Sequence, residues 1–357
     1  MSEPTTVVPL SVSRVQRLVS VIVPCRNEGN HIGAFLANVL RQQLPAGWNL
    51  QLIIADGMSD DSTRELLAKA QSVDPRVQWI DNPRRIASTG LNAALLRAQG
   101  EVIVRMDVHT VYAADYIVEC LAALQATGAD NVGGPWRAQA AAPAAPMELA
   151  AAAAFQSTWV AGGARSRRLG YDGWTDTVYL GCWPRATFDR FGHFDEDLVR
   201  NQDDEHNLRI VRGGGRVWQA SRIHSAYRPR ATLAQVFQQF LQYGYWKPFV
   251  IAKHRQAASL RHMLPGAFVA SVPLLAVAVA VGAPAWLLVG PVLGYTLVVT
   301  ASAATIAVQA QLGLAGMMRV AAVVAAYHVG YGIGSLMGWF DVVCGGRGRG
   351  RFASLTR

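Results

Sequence analysis

The sequence predicts an α/β domain with a mostly parallel sheet, followed by a C-terminal region that enters a membrane. In the N-terminal third, short runs rich in β-branched residues alternate with segments whose apolar residues recur at helical spacing. Further on, residues 263–318 contain no charged side chain, although 16% of the 357 residues in the whole chain are charged. Because soluble domains rarely run so far without a charge, this region indicates transmembrane helices.

The α/β domain begins with four predicted strands that alternate with three predicted helices. The first strand, residues 18–23, ends at Pro24, and the apolar residues after it recur at helical spacing. The other predicted elements are strands at 50–55, 77–80 and 102–106, and helices at 62–71 and 86–98. This order forms a mostly parallel sheet with helices on both faces, and ligands of such sheets bind beyond the carboxyl ends of the strands. Asp56 and Asp107 follow two of these ends.

The hydrophobic region, residues 263–343, predicts about three membrane segments. A spanning helix needs about 20 apolar residues, so residues 263–318 hold two of them with a turn near Gly282. A third segment covers 320–340, interrupted only by His328, and its closely spaced glycines predict tight packing on a neighbouring helix. Residues 231–262 before this region read as an interfacial amphipathic segment.

The two ends of the chain predict its orientation. Residues 1–17 form a polar lead-in with no signal-peptide core, so we expect a multi-pass protein of the plasma or inner membrane with its α/β domain in the cytoplasm. Three spans would place the basic tail, residues 344–357, on the opposite side, against the positive-inside tendency. Either the tail is an exception, or one segment lies in the interface or re-enters.

Charge and cysteine content argue against several classes of protein. Four scattered cysteines show neither metal-site nor disulfide spacing. The net charge of +9 comes partly from clusters beside the hydrophobic region, at residues 253–262 and 347–357, which anionic lipids explain. No nucleic-acid-binding motif accompanies the charge, so we expect no nucleic-acid partner. The turn after the first strand lacks G-x-G-x-x-G, which argues against a nicotinamide enzyme.

Three segments instead resemble the nucleotide-binding segments of family 2 glycosyltransferases, which have the GT-A fold. They are V-I-V-P-C-R-N-E (21–28), L-I-I-A-D-G-M-S-D-D-S-T (52–63) and N-P-R-R-I-A-S-T-G-L-N-A-A (82–94). The resemblance covers most of residues 18–247 and implies a catalytic domain over 18–230 that binds a nucleotide sugar, with a UDP-sugar as the expected donor. It implies nucleotide contacts from Pro24, Arg26, Glu28, Asp56 and Arg84, with Asp56 at the uracil ring. Taken alone, an aspartate at a strand end is more often a turn or helix-cap residue.

The fourth strand runs into R-M-D-V-H-T (105–110), where the family has its D-x-D metal motif. The resemblance therefore implies Asp107 and His109 as ligands of a divalent cation, Mn²⁺ or Mg²⁺, which neutralises the departing diphosphate. His109 stands where a second acidic residue is commonest, and this D-x-H variant resembles the ExoA-like succinoglycan and exopolysaccharide glycosyltransferases. Imidazole suits Mn²⁺. The alternative is that His109 caps a following helix.

A later segment, G-H-F-D-E-D-L-V-R-N-Q-D-D-E-H-N-L-R-I (192–210), resembles the family's E-D-x-D-L-x-x-R motif. Aligned on its arginine, the motif implies Asp203 as general base and Asp204 and Glu205 as acceptor-side candidates. A carboxylate can accept the proton of the acceptor hydroxyl while its oxygen attacks the anomeric carbon, which inverts that centre. The alternative is that these acids favour a helix N-terminus.

Y-R-P-R-A-T (227–232) and Q-x-x-Q-Y-G-Y-W-K (239–247) resemble the family's C-terminal catalytic helix. They imply contacts from Arg230 and Lys247 with the donor diphosphate or a lipid phosphate, although snorkelling at a membrane surface explains them too. Because the second stretch is not the Q-x-x-R-W of processive synthases, it favours the addition of one sugar.

The resemblance and the membrane region together predict the reaction. We expect transfer of a sugar to a polyprenyl-diphosphate-linked saccharide in surface or exopolysaccharide synthesis, in company with polysaccharide-assembly proteins. A polyprenyl-phosphate sugar synthase and a non-catalytic membrane scaffold remain alternatives.

Overall fold

The computed structural model describes residues 17–141, 143–157, 160–255, 260–346 and 352. Its strands are β1 Arg17–Cys25, β2 Trp48–Asp56, β3 Val77–Asp81, β4 Val102–Arg105, β5 Thr110–Tyr112, β6 Asn131–Gly134, β7 Gly173–Thr175, β8 Tyr179–Pro184, β9 Val217–Gln219 and β10 Ser225–Tyr227. Its helices are α1 Ile32–Leu40, α2 Thr63–Val73, α3 Ala87–Arg97, α4 Tyr116–Thr127, α5 Pro146–Gln156, α6 Arg185–Phe191, α7 Gln202–Arg212, α8 Leu233–His254, α9 Leu264–Ala280, α10 Trp286–Gln309 and α11 Gly313–Val343. Short 3₁₀ turns cover Arg165–Arg167 and Leu260–His262.

An eight-stranded mixed sheet has the order β3-β2-β1-β4-β8-β6-β9-β7. The first four strands are parallel, as the sequence predicts, and β8 then pairs antiparallel with both β4 and β6. Cys25 at the end of β1 pairs with Asp56 at the end of β2. The carboxyl ends of β2, β1 and β4 therefore lie side by side, so the loops that follow them meet at one edge.

Helices cover both faces of this sheet. Val19, Val21 and Val23 of β1 belong to the core that holds α1 and α4, whereas Ile22 belongs to the core that holds α3. Successive strand residues point to opposite faces, so the continuous apolar run of β1 is what a strand buried on both faces requires.

The C-terminal helices are strongly apolar. α10 and α11 are long and apolar enough to cross a membrane, and α9, at 17 residues, is apolar but shorter. The turn between α9 and α10 falls at Gly282, as predicted. Large apolar side chains on these helices are exposed, among them Leu274, Val289, Leu297 and Phe340. Such a surface is typical of a protein that contacts lipid.

α11 packs on α8 through glycines. A Cβ atom added to Gly334 would lie 2.0 Å from the carbonyl oxygen of Leu241, and one added to Gly338 would lie 2.2 Å from that of Tyr245. Gly244 of α8 makes the reciprocal approach to Tyr331. The close packing predicted for the third apolar segment is therefore present, and it joins this segment to the helix that follows the catalytic domain.

Two segments differ from expectation. α8 is buried over much of its length, between α11 and the α/β domain, rather than lying open as an interfacial helix. The composition of the Ala- and Pro-rich stretch at residues 138–154 suits a loop or a plain surface helix. It contains α5, whose alanines are buried against α10 and α11, because small side chains let helices approach closely.

The basic residues at 253–262 were expected to contact anionic lipid headgroups. Lys253 instead contacts Asp195 at 2.6 Å, His254 contacts Glu205 at 2.9 Å, and Arg261 contacts Asp176 at 2.9 Å. These side chains therefore tie the end of α8 to the catalytic domain. Arg347, Arg349, Arg351 and Arg357 of the basic tail, and nearly all of residues 1–17, lie outside the described residues.

Candidate active site

A cavity of about 580 Å³ lies at the carboxyl ends of the parallel strands and extends to α8 and α11. Most of the predicted site residues line it: Pro24, Arg26, Glu28, Asp107, His109, Asp203, Asp204, Arg230 and Lys247. Asp56, Arg84 and Glu205 do not. The segments that resemble glycosyltransferase motifs, far apart in sequence, therefore meet around one space.

The loop after β1 is held rigidly against the loop after β2. The backbone N–H of Asn27 donates to Ser59 Oγ at 2.8 Å, and that of Glu28 donates to Thr63 Oγ1 at 2.7 Å. Asn27 adopts a left-handed conformation with φ of 54°, which asparagine tolerates better than most residues. These contacts fix the direction of the Arg26 and Glu28 side chains, which line the cavity.

Asp56 lies beneath the cavity lining rather than in it. Its carboxylate is fully buried and accepts hydrogen bonds from Ser59 Oγ at 2.5 Å and from Arg64 Nη1 at 2.7 Å. Ser59 also donates its backbone N–H to Asp56. In this conformation Asp56 therefore makes the contacts of a turn residue, which is the alternative given above. Contact with a base would require one of these bonds to be exchanged.

Arg85, not Arg84, reaches the cavity. Arg84 is exposed and pairs with Glu196 at 2.6 Å on the outer surface. Arg85 follows with φ of 60° and lines the cavity. The reversed backbone at this position turns the second arginine of the pair inward, which the sequence of two adjacent arginines does not reveal.

Asp107 is clamped by an arginine that the sequence analysis did not select. Arg105, at the end of β4, is 6% exposed and binds both carboxylate oxygens of Asp107 at 3.1 Å. Its Nη1 lies 3.9 Å from Asp203 Oδ2 and has no hydrogen-bond partner among the described residues. Although burial opposes it, the charges of Asp107 and Asp203 raise the pKa of Arg105. Arg105 therefore bridges the predicted metal ligand and the predicted base.

His109 faces the loop after β1. Its Nε2 lies 2.9 Å from Glu28 Oε2, and its ring makes an edge contact with the ring of His31 at 4.7 Å between centroids. The residues after His109 form strand β5, so His109 does not cap a helix. The donor set at this end of the cavity, imidazole and carboxylate, fits a divalent cation, and Asp107 adds a carboxylate nearby in sequence.

Asp203 lies in the first turn of α7, after Asn201, whose φ is 62°. Its Oδ1 accepts the N–H of Asp204 at 2.9 Å, and its side chain is 35% exposed. Burial and the charge of Asp204 raise the pKa of Asp203, although Arg105 opposes the shift. A partly exposed carboxylate with a raised pKa, facing a cavity, suits a proton acceptor.

Asp204 and Glu205 have different surroundings. Asp204 binds Lys247 Nζ at 2.6 Å across the cavity wall, and although burial opposes it, Lys247 lowers the pKa of Asp204. Glu205 is fully buried outside the cavity, where it pairs with Arg209 at 2.8 Å and with His254. Its contacts hold α7 to the end of α8, and its position does not suit contact with an acceptor.

The part of the cavity next to α8 and α11 is basic and rich in tyrosine. We call it the basic lobe; it is lined by Arg167, Arg200, Arg230, Lys247, Tyr227, Tyr243, Tyr327 and Tyr331. Arg167 stacks on Trp136 at 3.4 Å, and burial lowers its pKa to about 10. Arg200 donates to Gln242 at 2.7 Å. Neither arginine has a carboxylate within 4.0 Å in the part of the chain that the structure describes.

Comparison with known proteins decides the family. Residues 20–174 match the family described as Glycosyl transferase family 2. The chain is 33% identical over 247 residues to the succinoglycan biosynthesis protein ExoA of Rhizobium meliloti (strain 1021), which covers 69% of this chain and 73% of ExoA. The chain belongs to glycosyltransferase family 2. The resemblance read from the motifs is thereby confirmed.

Two further comparisons concern more distant proteins. This family 2 glycosyltransferase is 24% identical over 243 residues to a dolichyl N-acetyl-α-D-glucosaminyl phosphate 3-β-D-2,3-diacetamido-2,3-dideoxy-β-D-glucuronosyltransferase of Methanococcus voltae, covering 66% of this chain and 74% of that one. It also shares its fold with the mannosyltransferase PcManGT of Pyrobaculum calidifontis, solved with GDP-Man and Mn²⁺. The TM-score is 0.59 at 20% identity, covering 94% of this chain and 90% of that one. The predicted GT-A fold is confirmed.

Besides Arg85, sequence reasoning missed four residues at or beside this glycosyltransferase's cavity. Arg105 lies two residues before Asp107 of the metal motif, but a buried arginine at a strand end gives no pattern that separates it from a structural residue. His31 lies three positions after Glu28, at the start of α1, a spacing that places both on one turn. Arg167 lies in a short 3₁₀ turn and Arg200 in a loop, and only the tertiary fold shows that both face the cavity.

Proposed function

We propose that this glycosyltransferase moves one sugar from a nucleotide diphosphate donor, a UDP-sugar, to a polyprenyl-diphosphate-linked saccharide, with inversion at the anomeric carbon. The observation that carries the proposal is the single cavity that joins the nucleotide-binding loops to the basic lobe beside α11. One end suits a nucleotide sugar, and the other suits a second phosphate-bearing substrate.

Uncompensated charge in the basic lobe supports an anionic ligand. Buried charges are normally paired, and leaving one unpaired is unfavourable. Arg167 is 5% exposed and stays protonated at neutral pH even with its lowered pKa. Arg167 and Arg200, which lack carboxylate partners among the described residues, would gain a compensating charge from a bound phosphate or diphosphate.

The position of the lobe supports a lipid as the carrier of that phosphate. Tyr327 and Tyr331 of α11 line it, and α11 is one of the two helices able to cross a membrane. A lipid tail leaving the lobe would therefore meet apolar helices. The name of the Methanococcus relative, which describes transfer to a dolichyl-phosphate-linked sugar, agrees with such an acceptor.

The residues around the anomeric centre suit direct displacement. We assign Asp203 as the base that removes the proton from the acceptor hydroxyl while that oxygen attacks the sugar. Lys247 holds Asp204 in an ion pair, so Asp203 is the carboxylate of the two that is left to accept a proton. Arg105 contacts both Asp107 and Asp203, so its positive charge offsets the repulsion between their carboxylates.

We further propose that the reaction depends on a divalent cation, which supplies positive charge to the departing nucleotide diphosphate. Asp107 and His109 would hold it, and the imidazole favours Mn²⁺ over Mg²⁺. Arg26 and Arg85 face the same part of the cavity and would add charge for the phosphates. The relationship to ExoA supports a product in exopolysaccharide or surface-glycan synthesis.

A product assay tests the proposal. Membranes that contain the chain are incubated with a panel of UDP- and GDP-sugars and with polyprenyl phosphate, polyprenyl diphosphate and polyprenyl-diphosphate-linked saccharides, and products are identified by mass spectrometry. Transfer to the lipid-linked saccharide, with an inverted anomer by NMR, is expected. Transfer to bare polyprenyl phosphate would instead identify a polyprenyl-phosphate sugar synthase.

A variant tests the base. Asp203→Asn keeps the shape of the side chain but cannot accept the proton, so it should lose transfer by at least about 100-fold while nucleotide binding is retained. Glu196→Gln, at an exposed ion pair on the outer surface, is the control and should transfer normally. Full activity of Asp203→Asn would overturn the assignment. Absence of nucleotide binding in the wild-type chain would favour a non-catalytic scaffold.

A further inference from the structure

We propose that Glu28, His31 and His109 form a site for one divalent transition-metal ion that is complete before the nucleotide sugar binds. The proposal rests on the proposed function only in identifying the working ion as Mn²⁺. Of the two ligands implied by the D-x-H motif it keeps His109, and it joins Glu28 and His31 to it. A cation would then be held by three side chains of this chain rather than mainly by the nucleotide.

The three ligand groups already lie close together. One ligand atom from each residue lies within 4.8 Å of the other two, and Glu28 Oε2 lies 2.9 Å from His109 Nε2. Two ligands at right angles, each about 2.1 Å from an ion, are about 3 Å apart. The Glu28–His109 pair therefore has the separation of neighbouring ligands, and the ring of His31 lies beside it.

The backbone holds these residues in place. Glu28 and His31 lie on one tight turn, in which the N–H of His31 donates to the carbonyl of Glu28 at 2.8 Å. His109 lies in the turn between β4 and β5, closed by a bond from the N–H of Thr110 to the carbonyl of Asp107 at 3.1 Å. Since neither turn depends on a ligand, the site needs little rearrangement to bind an ion.

The ligand types select the ion. Two imidazoles and one carboxylate suit borderline first-row metals, whereas Mg²⁺ prefers oxygen ligands and keeps several waters. Glu28 is 1% exposed, and its contact with His109 at 2.9 Å also fits a plain ion pair, which the experiment must separate from a metal site.

Asp107 is engaged elsewhere, because Arg105 binds both of its carboxylate oxygens. Asp107 therefore faces Arg105 and Asp203, whereas His109 faces Glu28 and His31. This division makes His31, a residue outside the motif, the distinguishing ligand of the proposed site.

The test measures Mn²⁺ binding to the full, tag-free chain in detergent, stripped of metal and free of nucleotide, by electron paramagnetic resonance. We expect one Mn²⁺ per chain and nitrogen modulation from two imidazoles in pulsed spectra. His31→Ala should bind at least tenfold more weakly and lose one nitrogen coupling, and His109→Ala should behave alike. His193→Ala is the matched control, since His193 is exposed and does not line the cavity. A tenfold excess of Mg²⁺ should not displace the ion.

The outcomes separate this site from the proposed function. If Mn²⁺ binds only after UDP is added, or if His31→Ala binds it as the wild type does, the proposed metal site is wrong. The proposed transfer reaction is then still judged by the product assay alone. If Mn²⁺ binds as expected but no donor is used, the site stands and the function is wrong. Because His31 is exposed at the start of α1, its replacement leaves the fold intact, and equal unfolding temperatures verify this.

Discussion

Replacing Gly334 by alanine should separate α8 from α11. The added Cβ would lie 2.0 Å from the carbonyl oxygen of Leu241 and 2.8 Å from the backbone nitrogen of Tyr245. Because contacts below 3.0 Å are essentially never observed for Cβ atoms, the helices must move apart by at least about 1 Å at this point. Both obstacles are backbone atoms, so no side-chain rotation can relieve them.

The expected loss of stability is about 1–3 kcal/mol, the usual range for inserting a methyl group into a closely packed site. Gly290→Ala is the matched control, since Gly290 lies in α10 with no atom within 4 Å of its added Cβ. That change should leave stability unchanged or raise it by up to about 1 kcal/mol, because alanine favours helix over glycine.

The assay compares apparent unfolding temperatures of the two variants and the wild type in the same detergent and at the same scan rate, because such transitions are commonly irreversible. Gly334→Ala should unfold at a clearly lower temperature than Gly290→Ala. Transfer should fall as well, because α8 carries Tyr243 and Lys247 of the basic lobe. Equal unfolding temperatures for the two variants would refute the close packing of α8 and α11.

Two further predictions concern charge. Arg105→Gln should move the acid limb of the pH–rate profile up by about one pKa unit, since a charge 3.9 Å from a partly exposed Asp203 contributes about 1 kcal/mol, and transfer needs Asp203 ionised. Arg105→Lys should shift the limb less, and an unchanged limb in Arg105→Gln would show that Asp203 is not the titrating base. Glu205→Ala should destabilise the chain by about 3–5 kcal/mol, measured by thermal unfolding, because it leaves Arg209 and His254 without their buried partner. Glu196→Ala, at an exposed pair, should change stability by at most about 1 kcal/mol, and similar losses in both variants would contradict the structural role of Glu205.

The sequence was most informative where local pattern alone decides structure. The β-branched runs of β1 and β2 can be buried only inside a sheet, and the stripe from Ile32 to Val39 can be buried only as a helix. Alternation of such elements leaves a parallel sheet as the simplest arrangement, so the edge that carries the site follows from the order of elements. Asp56 and Asp107, which follow two of the strand ends, could therefore be placed at this edge in advance.

The sequence was least informative where a side chain's direction depends on one backbone angle or a distant contact. The φ of 60° at Arg85 turns that residue, and not Arg84, towards the cavity. Asp56 occupies the predicted strand end, but Arg64 from α2 holds its carboxylate. Neither the backbone reversal at Arg85 nor the position of Arg64 in the first turn of α2 leaves a periodic signal in the sequence. Motif position alone therefore overstated how directly Arg84 and Asp56 face the cavity.

The C-terminal helices form part of the site's wall, because Tyr327 and Tyr331 of α11 and Lys247 of α8 line the same cavity as Asp203. The glycine contacts fix α8 on α11, and the Lys247–Asp204 pair fixes α8 on the helix that carries the base. A displacement of α11 would therefore be transmitted through α8 to the carboxylate next to Asp203. In this arrangement the hydrophobic region shapes the cavity wall beside Asp203, and an anchor without these contacts would leave the basic lobe incomplete.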